Sequence, residues 1–447
     1  MKASDKMECY RTHYSTEVTT AQHGCEITVA GWVQDIREMG SIAFLILRDR
    51  MGTLQVTMLK KKLDPELFKK LCGLNRESVI AVRGTCKPSD KARNGYEVIP
   101  EEVEILSEAG TPLPMGVVDK VGVDLDTRLD NRFIDLRKEE VQAIFKIRNR
   151  VIEAAHGYLR GNGFIEMHSP NIIGASSEGG TDLFAVQYFE KQAFLSQSPQ
   201  LYKQTMMATG FDRVYEIAKY FRAEQHNTRR HLNESTAIDL EMAFVRSEED
   251  VMGTLERLIR HIWDHVADNC TDELSLLGVS ITVPSLPMRR VTYDEAVERL
   301  AKSGVDIKWG DDIGTEAEKL LGDLMQKEGC EFYFITKYPL EAKPFYAMPE
   351  NGMADDRYAR AFDLELNGVE ITSGAQRIHD VKLLEERITA KGLKPSDFEG
   401  YLKAFRYGMP PHGGFGLGIE RIVMNMLGIQ NIRECTLFPR DRMRISP

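Results

Sequence analysis

A chain of 447 residues with 42% apolar and 28% charged side chains is too long for one typical core and has the balance of a folded protein, which excludes a disordered chain. Its formal net charge of −10 argues against an indiscriminate polyanion binder, and seven scattered cysteines without a C-x-x-C pair read as reduced, buried thiols. No apolar run is long enough to span a bilayer and the first residues lack a signal-peptide block, so the expectation is a soluble, cytoplasmic protein with no membrane partner.

From Cys25 to about Ser107 the pattern has period two: EITVAGWVQDI, SIAFLILRD, TLQVTM, SVIAVRGTC and YEVIPEEVEIL. One helical segment, Asp64 to Leu74, falls between the third and fourth strands. That is the order of an OB-fold barrel, a platform for single-stranded nucleic acid. Its reading face would carry Phe44 for stacking and Gln55 for a base edge, although Phe44 equally suits a core position. The polar stretch Met1 to His23 reads as a loose extension. These segments make residues 1–109 a first domain. The Pro- and Gly-rich run from Gly110 to Gly116 opens a connector over 110–138, and residues 139–447 form a second domain.

In the second domain a helix from about Glu140 to Arg160 carries an apolar stripe at Ile144, Ile147, Val151 and Ala155. A strand ending at Pro170 follows, as expected at an edge or an interface. Ser176 to Thr181 is a small-residue loop with one carboxylate, Glu178. Gln200 and Lys203 lie three apart on a helix opened by Pro199. The stretch Tyr220 to Phe244 reads as two antiparallel strands joined by a basic loop. Arg222 and Glu224 fall on one face of the first strand, and the second returns through Ile238, Leu240 and Met242. Residues 276–327 read as an inserted, partly helical region without evident chemistry. Beyond it Asn367-Gly368 forms a hairpin turn before a strand with Glu370, Ser373 and Arg377. HGGFGLGIERIVMNML then leads through glycines into an apolar helix with Arg421 in its first turns, where backbone donors and a guanidinium face a polyphosphate.

On these segments the chain resembles the class II aminoacyl-tRNA synthetases of the aspartate, asparagine and lysine subgroup, and within them the archaeal-type aspartyl enzymes. The resemblance runs from about Cys25 to Pro447. Its three motifs are the long helix with the strand ending at Pro170, the Tyr220 to Phe244 hairpin, and GLGIER with Arg421. It implies an α+β fold, an N-terminal OB-fold β-barrel followed by a class II synthetase antiparallel sheet flanked by helices, assembled as a homodimer through the first motif. It also implies ATP, Mg2+, L-aspartate and tRNA(Asp) as partners. Carried over by motif, Arg222 grips the α-phosphate and Glu224 the adenine amino group. Arg230, His231 and Leu232 belong to the ATP-contacting loop. Gly418, Ile419, Glu420 and Arg421 complete the nucleotide site, with Arg421 on the γ-phosphate. Glu370 and Ser373 would hold Mg2+. Glu178, Gln200, Lys203, Arg222, Ser373 and Arg377 would surround the aspartate. The His226 to His231 loop is expected to order when ATP arrives.

Charge separates the substrates of the subgroup. Lys203 and Arg377 bring two cations to one small site, which suits a side-chain carboxylate and would repel lysine. An asparaginyl enzyme remains the alternative reading, beside a non-charging RNA-binding relative and a free-standing asparagine-forming ligase. The last would not need the barrel. Within the resemblance, tRNA choice turns on Gln34 and on the loop around Lys91, Ala92 and Arg93. Strict enzymes are similar in carrying Trp and Lys there, relaxed ones His and Pro. Gln34 matches neither and Arg93 stands closer to the strict pattern, so tRNA(Asn) stays open as a second acceptor.

Overall fold

Alternating apolar residues curl the first part of the chain into a barrel. The computed structural model describes residues 9–118, 121–174, 183–225 and 227–447, and the chain divides after Val123 into two compact units. In the first, β1 (Glu26–Met39), β2 (Ile42–Arg48), β3 (Thr53–Leu59), β4 (Val79–Pro88) and β5 (Tyr96–Ser107) close in the order β1-β2-β3-β5-β4. The helix Pro65–Cys72 lies between β3 and β4, capped by the Asp64 carboxylate. Ala43, Leu45 and Leu47 are buried in the core. Phe44 takes the opposite face of β2, half-buried, with Thr57 of β3 as its partner across the ladder. Gln55 shares that face and donates to Glu97 Oε2 at 2.8 Å. Gln34 sits at the irregularity in β1 between Val33 and Asp35, and Arg93 is exposed between β4 and β5.

The expectation of a loose N-terminal extension fails for the part that is described. Val18 joins the barrel core, and Ser15 is buried with its hydroxyl 2.8 Å from Asp49 Oδ1. With Arg11 donating to the Ala30 carbonyl and Thr12 N to the Thr28 carbonyl, these contacts dock a segment of largely polar composition.

The second unit is built on an eight-stranded sheet. Its strands, with a small neighbouring sheet, are β6 (Ile165–Glu166), β7 (Ile172–Ile173), β8 (Ala185–Tyr188), β9 (Lys191–Leu195), β10 (Arg213–Phe221), β11 (Glu234–Ala243), β12 (Arg289–Thr292), β13 (Phe332–Thr336), β14 (Ala361–Leu366), β15 (Glu370–Arg377) and β16 (His412–Gly418). The main order is β12-β13-β14-β15-β16-β11-β10-β6, antiparallel from β13 to β10 with β12 and β6 added in parallel at the two edges. β7, β9 and β8 form the small sheet. Helices Glu139–Gly161 and Glu248–Asn269 bury Ile147, Val151, Leu255 and Ile259 against Leu240, Phe334 and Phe415 of the sheet. That covers one face with apolar side chains and leaves the alternate residues of the same strands to line the other.

Residues 124–138, expected in the connector, fold with the second unit. Arg132 is buried there, bonded to Asp135 at 2.6 Å and to the carbonyls of Glu434, Thr436 and Leu437. The region 276–327 is partly helical, as expected, and is built into the sheet. It supplies the edge strand β12, and helices Tyr293–Lys302 and Thr315–Lys327 pack Leu300, Leu321 and Met325 on Tyr333 and Ile335. Among the described residues no helix is long and apolar enough to cross a membrane.

Candidate active site

The uncovered face of the sheet holds a cavity of about 430 Å³. Strand register explains its lining. Asp239, Gly416, Ser373 and Asp363 stand side by side across β11, β16, β15 and β14. The next row is Glu241, Gly414, Ala375 and Ala361. Polar side chains at alternate positions thus gather on one surface, with glycines between them.

One end of the cavity is made by the β10–β11 hairpin. Arg222 and Glu224, expected on a strand, lie just beyond it, since β10 stops at Phe221. Their backbone is held instead by Asn233, whose carbonyl accepts from Arg222 N at 2.9 Å and whose side-chain amide donates to the carbonyls of Arg222 and Glu224. Both side chains line the cavity, the Arg222 guanidinium 3.6 Å from the Glu224 carboxylate. Arg230, His231 and Leu232 line it too. Arg421 enters from the first turn of the helix Ile419–Met426, capped at Gly418, and donates to the Glu370 carbonyl at 2.8 Å.

At the other end of the cavity Lys203 and Arg377 are not the bare pair of cations expected. Lys203 is 2% exposed and absent from the cavity wall; it lies beneath, 2.5 Å from Asp239 Oδ1 and 3.1 Å from Glu241 Oε2. Arg377, which does line the cavity, donates from Nε to Glu241 at 3.1 Å and from NH2 to the Gly414 carbonyl at 2.9 Å. The two cations therefore already face two carboxylates. Burial raises the Asp239 carboxyl against the pull of Lys203 and Tyr220. Burial opposes ionisation of Glu241 as well, but there Arg377 and Lys203 prevail and hold it below the ordinary range. Glycines make room for this cluster: a Cβ on Gly416 would lie 2.6 Å from the Tyr220 hydroxyl, which itself bonds Asp239.

A directed hydrogen-bond chain orients Gln200. His412 Nδ1 meets the Pro410 carbonyl at 2.9 Å, so it carries the proton and Nε2 accepts from the Gln204 amide at 3.0 Å. Gln204 Oε1 then accepts from Gln200 Nε2 at 2.9 Å. Burial pushes the His412 pKa down to about 4, which keeps the ring neutral and the chain intact at pH 7. With its amide nitrogen engaged below, Gln200 offers its carbonyl oxygen as acceptor.

Acidic groups crowd the remaining wall. Glu370 and Ser373 are three apart, yet an irregularity in the β14–β15 ladder after Glu370 brings both to the cavity. Burial and Asp363 raise the Glu370 carboxyl, and burial with Glu318 and Glu370 raises Glu365 well above its usual range. Asp363 Oδ1 and Glu365 Oε2 are buried without a hydrogen-bond partner. Lys343 answers part of this charge, 2.7 Å from Asp363 Oδ2. Such a cluster is short of positive charge, which fits a divalent cation.

Glu318 belongs to the same cluster, 3.9 Å from Arg230; burial first, then Glu370, lift its pKa from 4.5 to about 7. Between those values the folded protein holds a proton that the unfolded chain releases, so this group's stabilisation falls as pH rises through the window. Glu318→Gln is expected to gain about 2 kcal/mol over the parent at pH 8 and almost nothing near pH 4.5. Paired thermal melts across that range check it; a difference independent of pH would refute the assignment.

Of the remaining predicted residues, Glu178 lies outside the described residues. The Ile419 side chain belongs to the core, and Glu420 reaches the cavity while bonded to Arg148 at 2.8 Å and to Thr236 N at 3.0 Å. The sequence reading missed Asp239, Glu241, Glu318, Lys343, Asp363 and His412. For Asp239 and Glu241 the signal was present, as they alternate with Ile238, Leu240 and Met242.

The family model described as tRNA synthetases class II (D, K and N) matches residues 124–442, and one for an OB-fold nucleic acid binding domain matches residues 27–106. The chain is 54% identical to an aspartate–tRNA(Asp) ligase of Thermococcus kodakarensis, over 98% of its own length and 100% of the relative's. It is 51% identical to an aspartate–tRNA(Asp/Asn) ligase of Methanopyrus kandleri, over 97% and 99%. Its structure is similar to that of the Pyrococcus horikoshii asparaginyl-tRNA synthetase complexed with asparaginyl-adenylate, with a TM-score of 0.91 and 33% identity over 97% of this chain and 99% of that one.

Proposed function

The chain belongs to the class II tRNA synthetases of the D, K and N group, and from that premise we propose that it is an aspartate–tRNA ligase. It activates L-aspartate with ATP to aspartyl-adenylate and pyrophosphate, then transfers the aspartyl group to the 3′ end of tRNA(Asp). The observation that carries the choice of amino acid is Arg377, a buried guanidinium that opens into the cavity with one edge held by Glu241 and Gly414. It suits the substrate's side-chain carboxylate. Asp239 and the Gln200 carbonyl oxygen are the acceptors for the α-ammonium group. The asparaginyl alternative is disfavoured because the remaining guanidinium N–H groups are donors only: a carboxylate offers them two acceptors, whereas an amide offers one acceptor and turns its own donor towards them.

Adenylate formation is an in-line attack of the aspartate α-carboxylate on the α-phosphorus. It needs positioning and neutralisation rather than a protein nucleophile. Arg222 takes the charge that develops on the α-phosphate, Glu224 accepts from the adenine amino group, and Arg421 holds the departing end of the polyphosphate. Glu370 and Ser373 would hold Mg2+, with Asp363 beside them, and the ion would neutralise polyphosphate charge. Among the described residues no three His, Cys, Asp or Glu side chains form a metal cage; Mg2+ needs only one or two carboxylates when phosphates and water complete its shell. The barrel reads the anticodon through Gln34, Phe44, Gln55 and Arg93, and the enzyme acts as a cytoplasmic homodimer.

Charging purified tRNA(Asp) and tRNA(Asn) with labelled aspartate tests the reading. Product on tRNA(Asp) is expected, and Arg93 favours that tRNA over tRNA(Asn). Product on both would widen the acceptor range, and product on neither would refute the function.

A further inference from the structure

Arg222, Glu224, Arg230, His231 and Leu232, which line one end of the cavity, sit on a 12-residue connection, 222–233, between β10 and β11. A segment from the far end of the chain holds it at many points. Arg433 is the hub. Its NH1 donates to the Thr228 carbonyl at 3.0 Å, its NH2 to Asn227 Oδ1 at 2.7 Å, and its Nε to Asp441 Oδ2 at 2.6 Å. Around it, Ile432 N donates to the Arg229 carbonyl, Asn233 N to the Arg440 carbonyl, and Arg442 NH1 to the Gln225 carbonyl. The same segment is fastened to the body of the unit through Arg444, which pairs with Asp126 and Asp130.

We propose that Arg433 and the segment 432–442 clamp the 222–233 connection in the shape that presents Arg222, Glu224, Arg230 and His231 to ATP. This rests on the reading of the cavity as the nucleotide site. Arg433 is a positioning residue: Nε, NH1 and NH2 all engage protein acceptors, and the side chain is absent from the cavity wall. Its neighbour Ile432 does line the cavity, so the clamp reaches the site along the backbone. Without the hub, the carbonyl of Thr228 and the side chain of Asn227 lose their donors together, and the loop has more ways to turn its arginines from the cavity.

The test is aspartate-dependent ATP–pyrophosphate exchange by the full chain, comparing parent, R433Q, R433K, D441N and R222Q, with trypsin cleavage after Arg229 and Arg230 as a second readout. R433Q should raise KM for ATP by about tenfold while KM for aspartate stays within about twofold, with R433K intermediate because an ammonium lacks the planar fork. Cleavage of the loop should become faster. D441N removes one partner of the hub and leaves Arg433 in place, so it should give the same split in milder form, and it decides the case if R433Q fails to fold. Unchanged ATP parameters in the Arg433 and Asp441 variants, beside a large loss in R222Q, would overturn the clamp alone. Unchanged ATP parameters in R222Q as well would overturn the nucleotide site, and the clamp with it.

Discussion

Lys203→Ala is expected to abolish aspartate activation and to destabilise the catalytic unit by about 3–5 kcal/mol, the range for breaking a buried ion pair from one side. The ammonium group lies between Asp239 and Glu241 and also donates to the carbonyls of Leu240 at 3.0 Å and Phe415 at 3.4 Å. Removing it takes the shared cation from two buried carboxylates. Glu241 keeps Arg377, and Asp239 keeps the Tyr220 hydroxyl. The loss in aspartate binding is then indirect, through the misplaced Asp239 and the Arg377–Glu241 pair. A double variant separates the two effects. Lys203→Met with Asp239→Asn removes both members of one pair at nearly constant volume, so stability should largely return while aspartate activation does not. Urea melts and exchange kinetics with varied aspartate and varied ATP provide the measurements. Parental stability together with a parental KM for aspartate in Lys203→Ala would contradict the assignment.

Local pattern carried most of the architecture. Period-two alternation in EITVAGWV and IAFLILR specified β1 and β2, and the stripe at Ile144, Ile147 and Val151 specified the long helix. The site was legible where chemistry and spacing coincide within a few residues, as with Glu370, Ser373 and Arg377 on one strand. It was harder to read where the same alternation had two meanings. In AIDLEMA the apolar positions announce a strand, while Asp239 between them lines the cavity and Glu241 pairs with Arg377 of the cavity wall. What no local pattern holds is the meeting of distant segments. Glu318 reaches the cluster from a helix with the sequence of an ordinary charged amphipathic one, because that helix packs on β13, two strands from Glu370. Lys203 and Arg377 were read as a bare pair of cations because their partners come from β11, some 40 residues after one and 130 before the other.

Gly414→Ala is expected to damage the enzyme more than Gly416→Ala, although the two positions look equivalent in HGGFG. Both glycines are in extended backbone on β16, so their role is space rather than left-handed freedom. A methyl group at 414 would press on the Leu240 carbonyl and on the Glu241 carboxylate, and the first of these is backbone in the neighbouring strand. Relief requires β16 and β11 to separate or Glu241 to turn away, and either breaks the contact with Arg377. A loss of about 2–4 kcal/mol follows for overpacking at a site that cannot yield, together with a KM for aspartate raised by at least about tenfold. At 416 the methyl group meets the end of the Tyr220 side chain at 2.6 Å and Asp239 Oδ2 at 3.2 Å, and a tyrosine ring can shift by a few tenths of an ångström. That variant should keep its stability to within about 1.5 kcal/mol while binding aspartate more weakly, since Tyr220 and Asp239 move together. Melting curves and aspartate KM values for the two alanine variants decide the matter: equal stability losses, or a parental aspartate KM in both, would mean that these glycines do not make room for the pocket.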